Sequence, residues 1–122
     1  SPRRRRLFAD PATPNSALPF IPAEEVISTS TPSSPAQKFL VIDEIVYDVS
    51  TYISSHPGGE AVVQSFVGQD CSWQFARFHG RDVLGEGGEG WRLRVGRTKG
   101  VKNRFKEPVR FVGLRRLGGG GW

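Results

Sequence analysis

The sequence predicts one small domain that combines short strands with short helices, on three observations. Phe39–Ile42 and residues 45–47 are β-branched and aromatic runs separated by two acidic residues, as in a hairpin. From Glu60 onward, apolar residues recur at three- and four-residue spacing, as on one face of a helix. Residues 91–95 then alternate apolar and basic side chains, which is typical of a half-buried strand. The 122 residues suffice for one such domain and not for two.

The first helical segments surround a Pro-Gly-Gly interruption. Ser50 is predicted to cap a short helix over residues 51–55. The sequence His-Pro-Gly-Gly at 56–59 ends that helix, because proline restricts the residue before it and the glycines permit a tight turn. The next helix begins at Glu60, and Gly68 is placed to cap its C-terminus.

A further helix is predicted over residues 71–78, with Asp70 as its N-cap and Gly80 as its end. Phe75 and His79 are four residues apart and should therefore share a face. The glycine-rich stretch 80–90 disfavours a stable helix.

The two ends of the chain differ from this centre. Residues 1–37 hold seven of the nine prolines and predict an extended arm, with a helical turn opened by Pro22 and a short strand at 20–21. An acidic centre lies between the arginine run Arg3–Arg6 and a basic tail. This asymmetry favours an anionic partner for the ends, namely RNA, an acidic protein, an anionic surface or a large assembly, although a solvated, solubilising tail is an equal alternative.

Composition excludes several classes of protein. A single cysteine rules out an intrachain disulfide and any site with several thiolates. The longest aliphatic or aromatic run has four residues, so we expect neither a membrane span nor a signal peptide. A soluble intracellular protein, cytoplasmic or mitochondrial, is the expectation.

The only two histidines, His56 and His79, bracket two apolar helices. If these helices pack as a pair, both imidazoles can border one apolar slot, an arrangement that suits a metal held in a flat macrocycle. Other interpretations remain open at this point. A zinc site needs three or four protein ligands, a Cys71–His pair would serve nucleophilic chemistry, and either histidine can be an ordinary surface or core residue.

The segment 56–59 resembles the HPGG signature of the cytochrome b5 family, and a second histidine follows 23 residues later. Four further segments are similar to that family's pattern: 46–49 (VYDV), 68–70 (GQD), 75–79 (FARFH) and 93–96 (LRVG). The resemblance implies an α+β fold, with a short mixed β-sheet and two helical hairpins that form a crevice for non-covalent haem b. It implies His56 and His79 as the axial ligands. It also implies a haem-contacting set: Val49, Tyr52, Pro57, Gly58, Gly59, Val62, Val63, Phe66, Phe75 and Phe78.

The resemblance implies a single-electron carrier between a reductase and an acceptor protein, and not an enzyme, because two axial ligands leave iron no open position. It divides the chain into an arm (1–19), a haem-binding domain (20–98) and a basic tail (99–122). Two alternatives are a scaffold subunit anchored through Arg3–Arg6 and residues 92–116, and a regulator or module that serves a desaturase or hydroxylase.

This sequence also departs from the family pattern. Glu60 keeps one position of the acidic ring that docks basic redox partners in better-known members, whereas Ala61, Gln64, Gln74 and Arg77 stand where acids are expected.

Overall fold

The computed structural model describes residues 5–31, 37–55 and 59–108. Its strands are β1 (Phe39–Ile42), β2 (Ile45–Asp48) and β3 (Arg94–Arg97). Its α-helices are α1 (Ala23–Ser28), α2 (Ser50–Ser55), α3 (Glu60–Ser65) and α4 (Ser72–Phe78). Three short 3-10 helices lie at Asn15–Ala17, Arg81–Val83 and Gly90–Leu93.

The strands form one sheet in the order β1-β2-β3, with both pairs antiparallel. Parallel pairing is limited to single bridges at the two edges, Phe20 with Arg97 and Val41 with Asp70. The sheet itself is therefore antiparallel and not the mixed sheet that the family resemblance implies, and the two bridges cover its edges. The α+β fold is therefore confirmed.

The β1–β2 hairpin has the bounds that its sequence predicts, apart from one extra residue in β2. Asp43 and Glu44 in the connecting turn both have positive φ, 52° and 66°. Two successive residues with positive φ form the tight turn whose twist matches that of paired strands.

The helix starts show two errors of sequence interpretation. Ser50 does not cap α2 but lies in its first turn, and its N–H and hydroxyl both donate to Oδ1 of Asp48, at 3.0 and 2.6 Å. The carboxylate of Asp48, and not the hydroxyl of Ser50, is thus the acceptor at the start of α2. The predicted cap of α4 is misplaced by one residue as well: the N-cap is Cys71 and not Asp70, although the Asp70 carboxylate accepts from the N–H and hydroxyl of Ser72.

Helix α3 ends at Ser65, earlier than the placement of Gly68 predicts. Gly68 has a φ of 82°, but its N–H donates to the carbonyl of Phe39 at 2.6 Å and thus ties the chain to β1. A Cβ at this position would lie 2.7 Å from Cβ of Ser30. Glycine is therefore needed both for the backbone conformation and for close contact with the turn after α1.

The predicted strand at 91–95 is also wrong in its bounds, because residues 90–93 form a 3-10 helix and the strand begins at Arg94. Alternation assigns Arg94 to solvent, yet its side chain is fully buried. Its guanidinium donates to the carbonyls of Trp91, Asp10 and Thr13 and to the amide oxygen of Asn15. Hydrogen bonds to these acceptors offset the free-energy cost of burying the charge, and they bind residues 10–15 to the sheet.

Candidate functional site

A crevice opens between one face of the sheet and helices α2, α3 and α4. The sheet contributes Leu40, Ile42 and Tyr47, and the chain 83–93 forms a further wall. The complete lining is Leu40, Ile42, Tyr47, Val49, Tyr52, Gly59, Val62, Val63, Phe66, Cys71, Phe75, His79, Val83, Leu84, Glu89, Gly90 and Leu93. The lining is mainly apolar, as in sites that bind a small organic molecule.

His79 lies in the wall of this crevice, immediately after α4. Its N–H donates to the carbonyl of Phe75 at 3.0 Å, which fixes the backbone that carries the imidazole. The rings of Phe75 and His79 are stacked, with centroids 4.4 Å apart and planes 11° from parallel. The shared helix face predicted for this pair is confirmed, and the stacking restrains the imidazole in the wall.

His56, Pro57 and Gly58 lie outside the described residues. The chain on either side of them is described, and it borders the crevice on both sides, through Tyr52 of α2 and Gly59 before α3. Tyr52 precedes His56 by four residues and Gly59 follows it by three.

Of the other side chains in the predicted haem-contacting set, six line the crevice: Val49, Tyr52, Val62, Val63, Phe66 and Phe75. The side chain of Phe78 lies outside the described part of the structure. Sequence reasoning missed the sheet residues Leu40, Ile42 and Tyr47, and also Cys71 and Leu84. They are the members of each strand that face away from α1, but both strands are buried on both faces, so no sequence pattern indicates which face borders the crevice.

Burial favours the neutral forms of two tyrosines and the cysteine in the lining. Burial raises the pKa of the Cys71 thiol to about 12, and burial raises the pKa of Tyr47 further above its ordinary value. The pKa of Tyr52 is raised as well, first by burial and then by the charge of Glu89. The lining therefore offers a mainly apolar surface, which suits an apolar ring.

In the described ranges, no group of three or more His, Cys, Asp and Glu side chains is placed to hold a metal ion. The donor set fits a macrocycle-bound metal instead, since one imidazole in an apolar wall can supply an axial ligand. The crevice encloses ≈ 170 Å³. This is less than the ~300–1,000 Å³ of sites that enclose drug-sized ligands. A tetrapyrrole bound here would keep one edge at the open mouth or spread the walls.

The basic ends are not wholly available to a partner. Arg6 forms a two-pronged ion pair with Glu25, with both N···O distances at 2.8 Å, and Arg94 is buried. Arg3, Arg4 and residues 109–122 lie outside the described residues. Helices long and apolar enough to cross a membrane are not found in the described parts of the chain.

Comparison with known proteins agrees with this geometry. The family model described as "Cytochrome b5-like Heme/Steroid binding domain" matches residues 23–105. A cytochrome b5-type protein of Neurospora crassa is 34% identical over 58 residues, which cover 48% of this chain and 68% of that protein. The cytochrome b5 of Ostreococcus tauri virus 2 superimposes with a TM-score of 0.51 at 26% identity, covering 64% of this chain and 94% of the viral one.

The Delta(8)-fatty-acid desaturase 2 of Arabidopsis thaliana is 40% identical over 47 residues, which are 38% of this chain but only 10% of the desaturase. The similarity thus extends to larger proteins in which the matched stretch is a small part. The chain belongs to the cytochrome b5-like domain family, a family of electron carriers that binds haem b.

Proposed function

We propose that this chain carries single electrons on a haem b whose axial ligands are His56 and His79. The observation that carries the proposal is the position of His79, an imidazole stacked on Phe75 in the wall of an apolar crevice. Tyr52 and Gly59, which precede and follow His56 in the sequence, both line the crevice, and this supports His56 as the second ligand.

Bound haem would supply a one-electron couple between ferric and ferrous iron. The residues of this chain would do the rest. His79 and His56 would occupy the two coordination positions that the macrocycle leaves free, and the aliphatic and aromatic lining would exclude water. The stacked Phe75 ring would restrain the orientation of the His79 imidazole towards that group. With both positions held by protein there is no place for a substrate, and we therefore propose a carrier and not an enzyme.

For partners, we propose a reductase as the electron donor and a desaturase-type or similar acceptor. Relatives of this chain include a protein of Emericella nidulans named as NADH-cytochrome b5 reductase-like and several fatty acid desaturases. The crevice lining includes one exposed acid, Glu89, and α3 begins with another, Glu60. Two carboxylates near the crevice favour a modestly basic partner surface.

The test is an absorption spectrum of the haem-reconstituted chain in both oxidation states. We expect a six-coordinate, low-spin spectrum that shifts on reduction and does not change with carbon monoxide. His79→Ala and His56→Ala should each weaken haem binding by about 100-fold or more. Loss of a residue that only supports a ligand already costs up to about 100-fold, and loss of the ligand itself should cost at least as much. Each variant should also become sensitive to carbon monoxide, because it opens one axial position. Gln64→Ala, at an exposed position of α3 outside the crevice lining, is the matched control.

Retention of the wild-type spectrum in both histidine variants would refute the ligand assignment. Since the family description also includes steroids, a sterol probe belongs in the same experiment. Saturable sterol binding without any haem spectrum would replace the electron-carrier proposal with a small-molecule carrier.

A further inference from the structure

The described chain after β3 crosses helix α4, and we call residues 101–108 the C-terminal strap. Hydrogen bonds join it to α4 along the length of the helix. Nε1 of Trp73 donates to the carbonyl of Phe105 at 2.9 Å, and Arg77 pairs with Glu107 at 3.4 Å. The backbone N–H of Asp70, just before the helix, donates to the carbonyl of Lys102 at 3.1 Å.

The strap contacts the face of α4 that points away from the crevice. Asp70, Trp73, Gln74 and Arg77 follow the three- and four-residue spacing of one helical face. Phe75 lies on the opposite side of the helix and lines the crevice, together with the N-cap Cys71 and the C-cap His79, whose ring is stacked on that of Phe75. A force that rotates α4 about its axis would therefore move the strap contacts and the crevice lining together.

Asn103 connects the strap to Gln74 of α4 and to Asp70 just before that helix. Its side-chain amide and that of Gln74 form a reciprocal pair, with hydrogen bonds of 2.7 and 3.1 Å. Nδ2 of Asn103 also donates to Oδ2 of Asp70 at 3.3 Å, and the same carboxylate oxygen accepts from the N–H of Ser72, the first residue of α4. Gln74 is only 5% exposed, so its amide has few other partners to use if Asn103 is lost.

We propose that Asn103 is a positioning residue for His79. Through Gln74 and Asp70 it fixes the rotation of α4, and this rotation sets the plane of the imidazole at the end of the helix. The proposal rests on the proposed function, since it assumes that His79 binds haem iron. It goes further in assigning a role to a residue that touches neither the haem crevice nor His79.

The test uses the haem-loaded full chain and two measurements. One is the rate of haem transfer to an excess of a haem-scavenging protein. The other is the set of ferric electron paramagnetic resonance g-values, which report the relative orientation of the two axial imidazole planes. Asn103→Leu keeps the side-chain volume and removes the amide pair. We expect haem loss to be about tenfold faster, as for two neutral hydrogen bonds, together with shifted g-values.

Two further variants separate positioning from mere stability. The swap Gln74→Asn with Asn103→Gln keeps two facing amides at the same combined length, and it should restore both measurements towards wild type. Asn103→Gln alone lengthens one side and should shift the g-values even if Asn103→Leu fails to fold. Lys106→Leu, at an exposed position of the same strap, should behave as wild type.

The outcomes are distinguishable. A wild-type protein without a low-spin, six-coordinate spectrum would overturn the proposed function itself. A normal wild-type spectrum with unchanged haem loss and g-values in the Asn103 variants would overturn only the positioning role. Faster haem loss with unchanged g-values and no recovery in the swap would also overturn it, because that is the pattern of a general loss of stability.

Discussion

The two faces of the sheet are both buried, but the described chain closes only one of them. On the α1 face, the closed cluster consists of Ile21, Val26, Phe39, Val41, Val46 and Val95, each no more than 2% exposed. On the other face, Leu40, Ile42 and Tyr47 come from the same strands but line the crevice.

The difference shows how one short hairpin serves two purposes. Alternate residues of β1 point to opposite faces, so Phe39 and Val41 build a finished core while Leu40 and Ile42 form one wall of a binding crevice. A group that fills the crevice would complete the second core, and its binding free energy would then add to the stability of the fold.

The largest expected effect comes from truncating one phenylalanine on each face. Phe39→Ala should lower the free energy of unfolding by about 3–5 kcal/mol, because a cavity remains in a closed core. Phe66→Ala should cost less without haem, because that side chain already borders the crevice. Urea unfolding with and without haem measures both.

A haem concentration about 1,000 times the wild-type Kd, used for every variant, should stabilise wild type and Phe39→Ala by about 4 kcal/mol each. It should stabilise Phe66→Ala less, since that variant loses part of the haem contact. If the two variants lose the same free energy of unfolding and are stabilised equally by haem, the two faces of the sheet do not differ in the way described.

The next effect concerns the guanidinium at the start of β3. Arg94→Met should cost about 3 kcal/mol, because it removes charge-assisted hydrogen bonds and leaves acceptors of residues 10–15 without their donor. Arg92→Met changes an exposed arginine two residues earlier and should stay within about 0.5 kcal/mol of wild type. Thermal unfolding at matched ionic strength compares them, and equal melting temperatures would contradict a structural role for Arg94.

Arg94 also marks where sequence interpretation fails. Alternation correctly predicts a strand near residue 94, but it assigns every basic side chain to solvent. The acceptors that permit burial come from Asp10, Thr13 and Asn15, about 80 residues earlier, and no local pattern connects them. The strap contact between Asn103 and Gln74 is equally invisible, because a polar loop residue and an amide on a helix give no periodic signal.

The candidate site was more predictable than these tethers. Helical spacing and the family resemblance together indicate His79, Phe75 and the α3 side of the crevice, because those positions obey a fixed period. The sheet side was missed since Phe39–Ile42 is apolar throughout. A continuous apolar run shows that both faces are buried and does not show which one borders a crevice.

A smaller effect is a pH dependence that belongs to the crevice face. The pKa of Cys71 is raised by burial to about 12 from an ordinary value of 9.0. The unfolded chain releases this proton at lower pH than the folded chain, so stability is complete below about pH 9 and falls as pH rises towards 12. The loss is about 1.4 kcal/mol per pH unit once ionisation of the unfolded chain is complete.

Cys71→Ala should be less stable than wild type at pH 8 because it leaves a small cavity, yet it should lose less stability between pH 8 and pH 10.5. The pKa of Tyr47 is raised in the same direction, first by burial, and this residue is present in both proteins, so most of its contribution cancels in the difference between them. Parallel melting-temperature profiles would contradict a buried, neutral Cys71.

The smallest effect lies on the closed side, where the N-terminal arm meets α1. The side chains of Arg6 and Glu25 are 29% and 11% exposed, and their ion pair adds to two hydrogen bonds between the backbone of Arg6 and the side-chain amide of Gln37. Glu25→Gln should cost only about 0.5–1 kcal/mol, and less in high salt, because the arginine remains partly solvated. Since this pair does not border the crevice, the cost should be the same with and without haem. A cost that grows when haem binds would mean that the arm is coupled to the crevice face, and that the closed face of the sheet is not independent of the site.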